Sequence, residues 1–293
     1  MALIPAQRIF HYVAAHPTSV SKVLQEHFKL SQEKSAELIE LGSIYLNKKR
    51  VFSDVSLPKS AYLRLHLHPK RFPVQRIAWN SVLLKEGPDY VVVRKPAGIP
   101  THATVDNAIE NTLAQVRKAL NLELFVTQRL DTPVSGALLF AKTKKFQAQF
   151  NQWLSERKIQ KTYAAWVEKE CPTGKMLHYM EPSERSPRVL SHEPKAGWLP
   201  CELTVLSCLP KVVEQKNLYE LKIDLHTGRT HQIRAQLAYL ECPIVGDRLY
   251  GSKLKVSRKE EIALSAIKIS WPSSETVEIP FPYWDPSLIH FSQ

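Results

Sequence analysis

The beginning of the chain has the hydrophobic and polar pattern of a small α+β module, between about residues 18 and 68. Ser31 can cap a helix with apolar residues on one face, and Gly42 follows its last turn, where a left-handed residue is favoured. Residues 43–52 and 61–69 then alternate apolar and polar side chains, as half-buried strands do. Because the polar face of the second strand is basic and aromatic, we expect it to suit phosphate groups.

Farther along, the pattern changes to longer strands mixed with amphipathic helices. The segments with strand patterns are 89–95, 135–143, 161–168 and 218–226. A helix is predicted at 144–159, where four large apolar residues fall on one face: Phe146, Phe150, Trp153 and Leu154. A second helix is predicted at 230–241, with Thr230 as its cap.

These patterns divide the α+β chain into four parts. We predict an extension at 1–17, the small module at 18–68, a proline-containing linker at 69–80 and a larger domain at 81–293. Within the larger domain, residues 172–200 are rich in proline and charge. This composition predicts a surface excursion near the functional site.

Net charge indicates a class of partner. The 293 residues include 40 Lys and Arg against 28 Asp and Glu, which gives a net charge of +12 and a pI near 9.5. Basic side chains bind phosphates and steer association with polyanions, so nucleic acid is favoured over a merely solvated basic surface. Apolar runs are too short to span a bilayer, and the first residues lack a secretory signal pattern. We therefore expect a cytoplasmic protein that does not engage membranes.

Cysteine and histidine spacing argues against a metal site. None of the four cysteines forms a CxxC pair, and we interpret them as small buried hydrophobic residues. They are Cys171, Cys201, Cys208 and Cys242. The pair His66 and His68 has no third ligand nearby, so we interpret it as structural or phosphate-facing.

Four segments place polar residues beside an apolar strand or a special turn. They are RKPAGIPTH at 94–102, QRLDTPVSG at 128–136, KTYAAWV at 161–167 and LHTGRTHQIR at 225–234, which continues to IVGDRLYG at 244–251. Ser135 lacks the Gly-x-Ser-x-Gly setting of a serine hydrolase, and no Walker-type phosphate loop occurs, which argues against both enzyme classes. Taken singly, each segment also fits an ordinary turn, strand or helix start.

Taken together, the four segments resemble the RluA family of RNA pseudouridine synthases, in the family's order and across residues 81–285. The resemblance implies a catalytic domain with a mixed, mostly antiparallel central sheet and an RNA cleft across its middle. The stretches VSKVLQEHF and LSQEKSAELIELGSIYLNKKRV, within residues 18–68, resemble the alpha-L RNA-binding domain, first named from a small-subunit ribosomal protein. The candidate RNA contacts in that module are Lys34, Lys48, Lys49, Arg50 and Arg64.

The family resemblance also implies roles in the reaction. Asp131 corresponds to the catalytic carboxylate, Tyr163 to a tyrosine that stacks on uracil and takes part in proton transfer, and Arg234 to the partner of the aspartate. Arg129 is expected to enter the RNA helix as the target uridine leaves it. Further substrate contacts are expected from four residues in the same segments: Lys95, Arg229, His231 and Gln232.

The reaction explains why these residue types occur together. Pseudouridine forms when the uracil ring is detached from nitrogen, turned and reattached through carbon five, so we expect neither cofactor nor metal. The carboxylate must be ionised, and a nearby arginine favours that form. The base must leave the stack before a side chain reaches its glycosidic bond, which requires a wedge residue and an aromatic platform.

Three functions compete on the sequence alone. A site-specific RNA uridine isomerase is favoured, with ribosomal RNA slightly ahead of transfer RNA as substrate and a monomer as the acting form. The alternative is a catalytically lapsed RNA-binding or ribosome-assembly protein, because Gln128 and Thr132-Pro133-Val134 depart from the family's usual residues around the aspartate. A base-excising glycosidase that uses one carboxylate is the third.

Overall fold

The structure is a computed structural model, which describes residues 9–213, 216–256, 260–272, 275–279 and 289–290. It divides the chain into two compact units. The first comprises the residues up to Ile77 together with His102–Ala119, and the second comprises Ala78–Thr101 together with the residues from Leu120 onward.

The first unit contains a four-stranded antiparallel sheet and short helices. The strand order is β1 (Phe10–Val13), β6 (Tyr62–Leu65), β3 (Ile44–Leu46) and β4 (Lys49–Val51), and β2 (Thr18–Ser19) pairs separately with β5 (Ser56–Leu57). The helices are α1 (Val20–Lys22), which continues as a π-type turn over Val23–His27, α2 (Gln32–Glu40) and α3 (Thr112–Leu120). A short 3₁₀ turn covers Val74–Arg76.

The predicted helix of the small module is present with its expected ends. The Ser31 side chain accepts a hydrogen bond from the Lys34 amide at 3.2 Å and caps α2. Gly42 follows α2 with φ +66°, and a Cβ there would lie 2.6 Å from the Phe52 ring. A glycine is therefore required at this position both by its backbone angle and by the close side chain.

Two features of the first unit differ from the sequence expectations. Phe10–Val13, within the predicted extension, forms β1 and pairs with β6, because Phe10 and Tyr12 pack against the apolar core while their neighbours are exposed. The predicted strand at 61–69 ends at Leu65, and His66 is buried while His68 is exposed. Of the two interpretations of the histidine pair, the structural one therefore applies to His66.

The segment His102–Ala119 also clusters with the first unit, although the sequence places it inside the larger domain. A hydrogen bond and an ion pair explain this placement. The Ser43 hydroxyl donates to the Asp106 carbonyl at 2.7 Å, and the Arg71 guanidinium pairs with buried Glu110 at 2.6 Å. Such partners from distant parts of the chain leave no signal in local periodicity.

The second unit contains an eleven-stranded sheet that is antiparallel except where β10 runs parallel to β17. The strand order is β13 (Leu190–Ser191), β12 (Gly174–Met180), β14 (Leu199–Val213), β15 (Lys216–Leu225), β11 (Gln160–Val167), β17 (Leu264–Trp271), β10 (Ser135–Ala141), β8 (Tyr90–Lys95) and β7 (Leu83–Glu86). Short strands add β9 (Phe125–Val126) to β10 and β18 (Glu275–Glu278) to β17, while β16 (Lys255–Val256) pairs with β19 (Ile289–His290). The helical elements are α4 (Lys144–Ser155), α5 (Gln232–Tyr239) and the 3₁₀ turns Trp79–Ser81 and Arg248–Tyr250.

The packing of α4 confirms the predicted apolar face. Phe150 is fully buried in the sheet's core cluster, and Phe146, Trp153 and Leu154 pack against that cluster. Residues 172–200, in contrast, are only partly a surface excursion, because β12 continues the sheet through Gly174–Met180. None of the helices among the described residues combines the length and apolar character needed to cross a membrane.

Candidate active site

Asp131 lies in the loop that leads into β10, and neighbouring residues fix the backbone of this loop. The Thr101 hydroxyl donates to the Leu130 carbonyl at 2.9 Å and accepts from the Leu130 amide at 3.1 Å. The Gly98 amide donates to the Thr132 carbonyl at 2.8 Å. The loop is thus held by the turn at 98–101, while the Asp131 side chain remains 24% exposed.

Lys95, at the end of β8, supports the same loop from inside. Its Nζ donates to the carbonyl oxygens of Pro96, Ile99 and Thr132 at 2.8, 2.5 and 3.2 Å. Three acceptors match the three N–H donors of a charged amine. Burial lowers the pKa of Lys95 to about 7, and the nearby charge of Asp131 opposes that shift. Because Lys95 is fully buried, the predicted substrate contact is wrong, and its role is to position the loop.

Arg234 is the buried cation of the site, and Asp247 fixes its orientation. Arg234 Nε donates to Asp247 Oδ2 at 2.7 Å and Nη2 donates to Oδ1 at 2.8 Å, a bidentate pair. Asp247 is 1% exposed, and its pairing outweighs burial to raise the pKa of Arg234. The remaining nitrogen, Nη1, lies 3.5 Å from Asp131 Oδ2. One edge of a rigid guanidinium therefore faces the Asp131 carboxylate.

His231 faces the same carboxylate from the start of α5. Its Nε2 lies 3.9 Å from Asp131 Oδ2, and its Nδ1 lies 3.1 Å from the Tyr250 hydroxyl. The Tyr250 oxygen already accepts a hydrogen bond from the Arg188 amide at 2.9 Å, so its own proton is available to His231 Nδ1. Burial lowers the pKa of His231 against the opposing charge of Asp131. His231 thus lies between Tyr250 and Asp131, with one ring nitrogen toward each.

The start of α5 differs from the expectation that Thr230 caps it. The helix begins at Gln232, after His231 in a left-handed conformation with φ +60°, and no side chain of the preceding residue caps it. The Gln232 Oε1 instead accepts from the Arg229 amide at 3.1 Å, and its Nε2 donates to the Glu202 carbonyl at 3.2 Å. Gln232 is buried, so it braces the turn before the helix and does not contact substrate as predicted.

Tyr163 lies near the start of β11, between β15 and β17. It pairs with Ile223 on one side and Ala266 on the other, and β11 changes register against β17 between Thr162 and Tyr163. Burial, together with the negative charge of Asp131, raises the pKa of Tyr163 well above its usual range. The phenol is therefore neutral at ordinary pH and can donate a hydrogen bond.

The sequence of this chain is similar to those of a known protein family. A model of the RNA pseudouridylate synthase family matches residues 89–239, which contain Asp131, Tyr163 and Arg234. The chain is 37% identical over 214 residues to the chloroplastic RNA pseudouridine synthase 6 of Oryza sativa subsp. japonica, covering 66% of this chain and 45% of that protein. It is 30% identical over 266 residues to ribosomal large subunit pseudouridine synthase D of Xylella fastidiosa, covering 84% and 75%. The chain belongs to the RluA family of RNA pseudouridine synthases.

A solved structure agrees with this family at the level of the fold. The human protein RNA pseudouridylate synthase domain containing 4 superposes with a TM-score of 0.55 at 21% identity, over 72% of this chain and 90% of that one. The predicted pseudouridine synthase fold with a mostly antiparallel sheet is thereby confirmed. The chain spans less than half the length of the rice relative.

Two groups of predicted site residues can be distinguished within this family fold. Asp131, Arg234 and Tyr163 lie together in the second unit, and their catalytic roles stay a prediction. Arg129 and Arg229 are exposed, which fits residues that contact RNA. In the described residues, no group of three or more His, Cys, Asp or Glu side chains is arranged to hold a metal ion.

The predicted RNA contacts of the first unit divide into exposed and structurally engaged residues. Lys48, in the turn between β3 and β4, and Lys49, the first residue of β4, are exposed. Lys34 is paired with Glu37 at 2.6 Å on one face of α2. Lys48 and Lys49 are available to bind phosphates. Lys34 could bind a phosphate only by giving up its weak surface ion pair with Glu37.

Arg50 and Arg64, in contrast, both rest on the Tyr45 ring. Their guanidinium carbons lie 5.0 and 4.2 Å from the ring centroid. Arg50 also donates to the Tyr45 hydroxyl and to the Thr104 carbonyl, each at 2.6 Å. Both arginines therefore stabilise the first unit itself.

Asp247 and Tyr250 have no role predicted from the sequence, although both fall in the segment 244–251 that the resemblance includes. Asp247 fixes Arg234, and Tyr250 orients His231. The sequence signal that could have identified Asp247 is its position directly after Gly246, because glycine is typical of turns. A carboxylate held in such a turn, in a chain with a predicted catalytic arginine, is a candidate partner for that arginine.

Proposed function

We propose that the protein isomerises specific uridines in RNA to pseudouridine, with Asp131 as the reacting carboxylate. Family membership supports the reaction class. The observation that carries the assignment is the 3.5 Å approach of Arg234 Nη1 to Asp131 Oδ2, with Arg234 fixed by the buried Asp247. A preorganised cation beside a partly exposed carboxylate pairs with its charge and leaves the carboxylate open to substrate.

In the proposed reaction, the target base leaves the RNA stack and enters the site. The bond between the ribose C1′ and N1 of uracil breaks, the ring turns, and a bond forms between C1′ and C5. The proton on C5 is then lost and N1 gains one, so that no atom is added or removed. Asp131 assists the bond exchange, Tyr163 packs on the ring as a neutral phenol, and exposed Arg129 takes the place of the departed base.

We further propose ribosomal RNA as the substrate, ahead of transfer RNA, and a monomer as the active form. The relative from Xylella fastidiosa is named for the ribosomal large subunit, and the alignment with it covers 84% of this chain. The exposed Lys48 and Lys49 of the first unit would add phosphate contacts outside the catalytic site.

The test is a reaction of the purified protein with ribosomal RNA and, separately, with transfer RNA, each transcribed without modifications. Pseudouridine is mapped by chemical labelling, and the same reactions are run with Asp131→Asn. We expect pseudouridine at one or a few ribosomal sites with the wild type and none with the variant. Modification confined to transfer RNA would overturn the substrate proposal. Binding of either RNA without pseudouridine would favour the alternative of a lapsed RNA-binding protein, and free uracil would indicate a glycosidase.

A further inference from the structure

Three of the four cysteines converge in the second unit, although they come from separate parts of the chain. Cys171 follows β11, Cys208 lies in β14 and Cys242 follows α5. The Cys208 sulfur accepts from the Cys171 amide at 3.4 Å, and the Cys242 thiol lies 3.2 Å from the Glu170 carbonyl oxygen. Because Glu170 directly precedes Cys171 in the chain, these two contacts bring Cys208 and Cys242 beside Cys171. We call these three residues the thiol cluster.

The members of the thiol cluster differ in access to solvent. Cys171 and Cys242 are each 2% exposed, whereas Cys208 is partly exposed. The pairing of β12 with β14 ends at Val205, so β12 does not cover the edge of β14 beside Cys208. Burial raises the pKa of both Cys171 and Cys242, so these two remain thiols and react more slowly with a reagent than an exposed cysteine does. A reagent in solution therefore meets Cys208 first.

The thiol cluster also lies where two elements of the active site end. Tyr163 is near the start of β11 and Arg234 is near the start of α5, while Cys171 and Cys242 follow the far ends of these elements. The chain is already joined there by a bridge between Val167 and Ile244. A covalent bond between the two sulfurs would add to existing backbone contacts and would leave the Asp131 loop untouched.

We propose that the thiol cluster is a site of thiol–disulfide exchange, in which a low-molecular-weight disulfide enters at Cys208 and a disulfide between Cys171 and Cys242 is the product. This bond would fasten the end of α5 to the end of β11 under oxidising conditions. The proposal concerns the chemistry of the folded chain and does not depend on the proposed pseudouridine synthase activity.

The exchange has three balanced steps. The Cys208 thiolate attacks one sulfur of the reagent RSSR, which breaks the S–S bond, forms a mixed disulfide and releases RSH after protonation. Cys171 then loses its proton and attacks the Cys208 sulfur, forming a Cys171–Cys208 disulfide and releasing the second RSH. Finally, Cys242 attacks the Cys171 sulfur and returns Cys208 to the thiol. In sum, two protein thiols are oxidised and one RSSR is reduced to two RSH.

The test treats the purified full chain with oxidised glutathione and follows free thiols and disulfide-linked peptides by mass spectrometry under non-reducing conditions. We expect two of the four thiols to disappear and a linked pair of peptides containing Cys171 and Cys242 to form, reversibly with dithiothreitol. A stable glutathione adduct on Cys208 with no linked peptides would overturn the proposal. So would linkage to Cys201, which is buried in a separate cluster with Met180 and Ala235.

Matched serine variants distinguish the proposed stepwise exchange from random oxidation of the cysteines. Cys208→Ser is expected to slow formation of the Cys171–Cys242 bond by about tenfold or more, because the accessible thiol is removed. Cys242→Ser is expected to stop the sequence at a Cys171–Cys208 disulfide, and Cys201→Ser is expected to behave as the wild type. An unchanged rate in Cys208→Ser would contradict entry at that residue. The native fold of each variant is checked by its circular dichroism spectrum before oxidation.

The melting temperature gives a second readout of whether the bond fits the fold. Since a disulfide that suits the native geometry restricts the unfolded chain, the oxidised protein is expected to melt about 4 °C or more above the reduced protein. A lower melting temperature after oxidation would show that the sulfurs join only when the structure is distorted, and would contradict the proposal.

Discussion

The two units hold their basic residues in different ways. In the second unit, Arg234 is buried, bound at two nitrogens by Asp247 and presented to Asp131 by the third. In the first unit, Lys48 and Lys49 are exposed, with no carboxylate within ion-pair distance among the described residues. The cationic side chain is therefore held in one orientation in the second unit, whereas the two exposed lysines of the first unit are not held by an ion pair.

This difference separates two physical tasks. A cation that acts on a reacting carboxylate must be held closely in position. A buried carboxylate partner can hold it there, although burying that partner costs desolvation energy. A cation that meets a phosphate backbone gains from mobility, because its contribution comes from counterion release. We therefore expect changes in the second unit to lower kcat and changes at Lys48 and Lys49 to weaken RNA affinity.

Asp131→Asn should give the largest effect on activity, because the amide keeps the shape of the side chain and removes the charge. We expect kcat to fall by about 10³-fold or more, with the free energy of unfolding nearly unchanged. Single-turnover kinetics on the modified RNA measures the first quantity and urea unfolding the second. Asp89→Asn, at an exposed carboxylate of the same unit, is the matched control. Retention of a tenth of the wild-type rate would contradict a direct role for Asp131.

Asp247→Asn should affect both activity and stability. Loss of the bidentate partner leaves the buried Arg234 with Asp131 alone as its counter-charge, and breaking a buried ion pair typically costs about 3–5 kcal/mol. The freed guanidinium would no longer hold its position beside Asp131, so kcat is expected to fall about 10²-fold with a smaller change in KM. A loss of stability with kcat intact would reduce Asp247 to a purely structural role. Glu278→Gln, which removes an exposed ion pair with Lys268, is the comparison variant.

Lys95 is a buried cation of the second unit, and its lowered pKa makes the stability of the protein depend on pH. Its pKa is about 7 in the folded protein, below the ordinary value of 10.5, so between those values the unfolded chain binds more protons. The contribution of Lys95 therefore becomes more favourable as pH rises from about 7 to about 10, by at most about 1.4 kcal/mol per pH unit. Urea unfolding of the wild type and of Lys95→Met at several pH values should show a difference between them that grows with pH. A constant difference would contradict the lowered pKa.

The smallest effects are expected in the first unit. Lys48→Gln combined with Lys49→Gln should leave stability within about 0.5 kcal/mol and lower the slope of log affinity against log salt by roughly 0.7 for each phosphate that is no longer neutralised. Equal salt slopes for the wild type and the double variant would show that these lysines do not contact RNA phosphates.

Arg50→Gln should instead destabilise the first unit by about 1–2 kcal/mol, because the hydrogen bonds of Arg50 to Tyr45 and Thr104 are removed.

The same contrast explains how far the sequence could be interpreted. Asp131, Tyr163 and Arg234 stand in recognisable local segments, and the strands and helix α4 have clear periodicity, so these features could be predicted. The partners of Arg234 and Lys95 could not, because both depend on residues brought close only by the folded sheet. Thr230 also fits a cap by its residue type, yet the side chain of Gln232 satisfies the turn that precedes the helix.

The first unit illustrates the same limit. Lysines and arginines look alike in a basic sequence, but Tyr45 and the Thr104 carbonyl engage Arg50 and leave Lys49 exposed. The four residues of β1 are too few for a periodic pattern and become a strand only by pairing with β6. Likewise, spacing along the chain does not reveal that Cys171, Cys208 and Cys242 meet in the folded protein.

The most direct test of the account is to map pseudouridine in total RNA from cells that lack the protein and from cells that carry it. We predict that one or a few ribosomal RNA sites lose pseudouridine in its absence, and that the wild-type protein restores them while Asp131→Asn does not. If every site keeps its pseudouridine without the protein, or if Asp131→Asn restores the missing sites, the assignment of this chain as a uridine isomerase acting through Asp131 is contradicted.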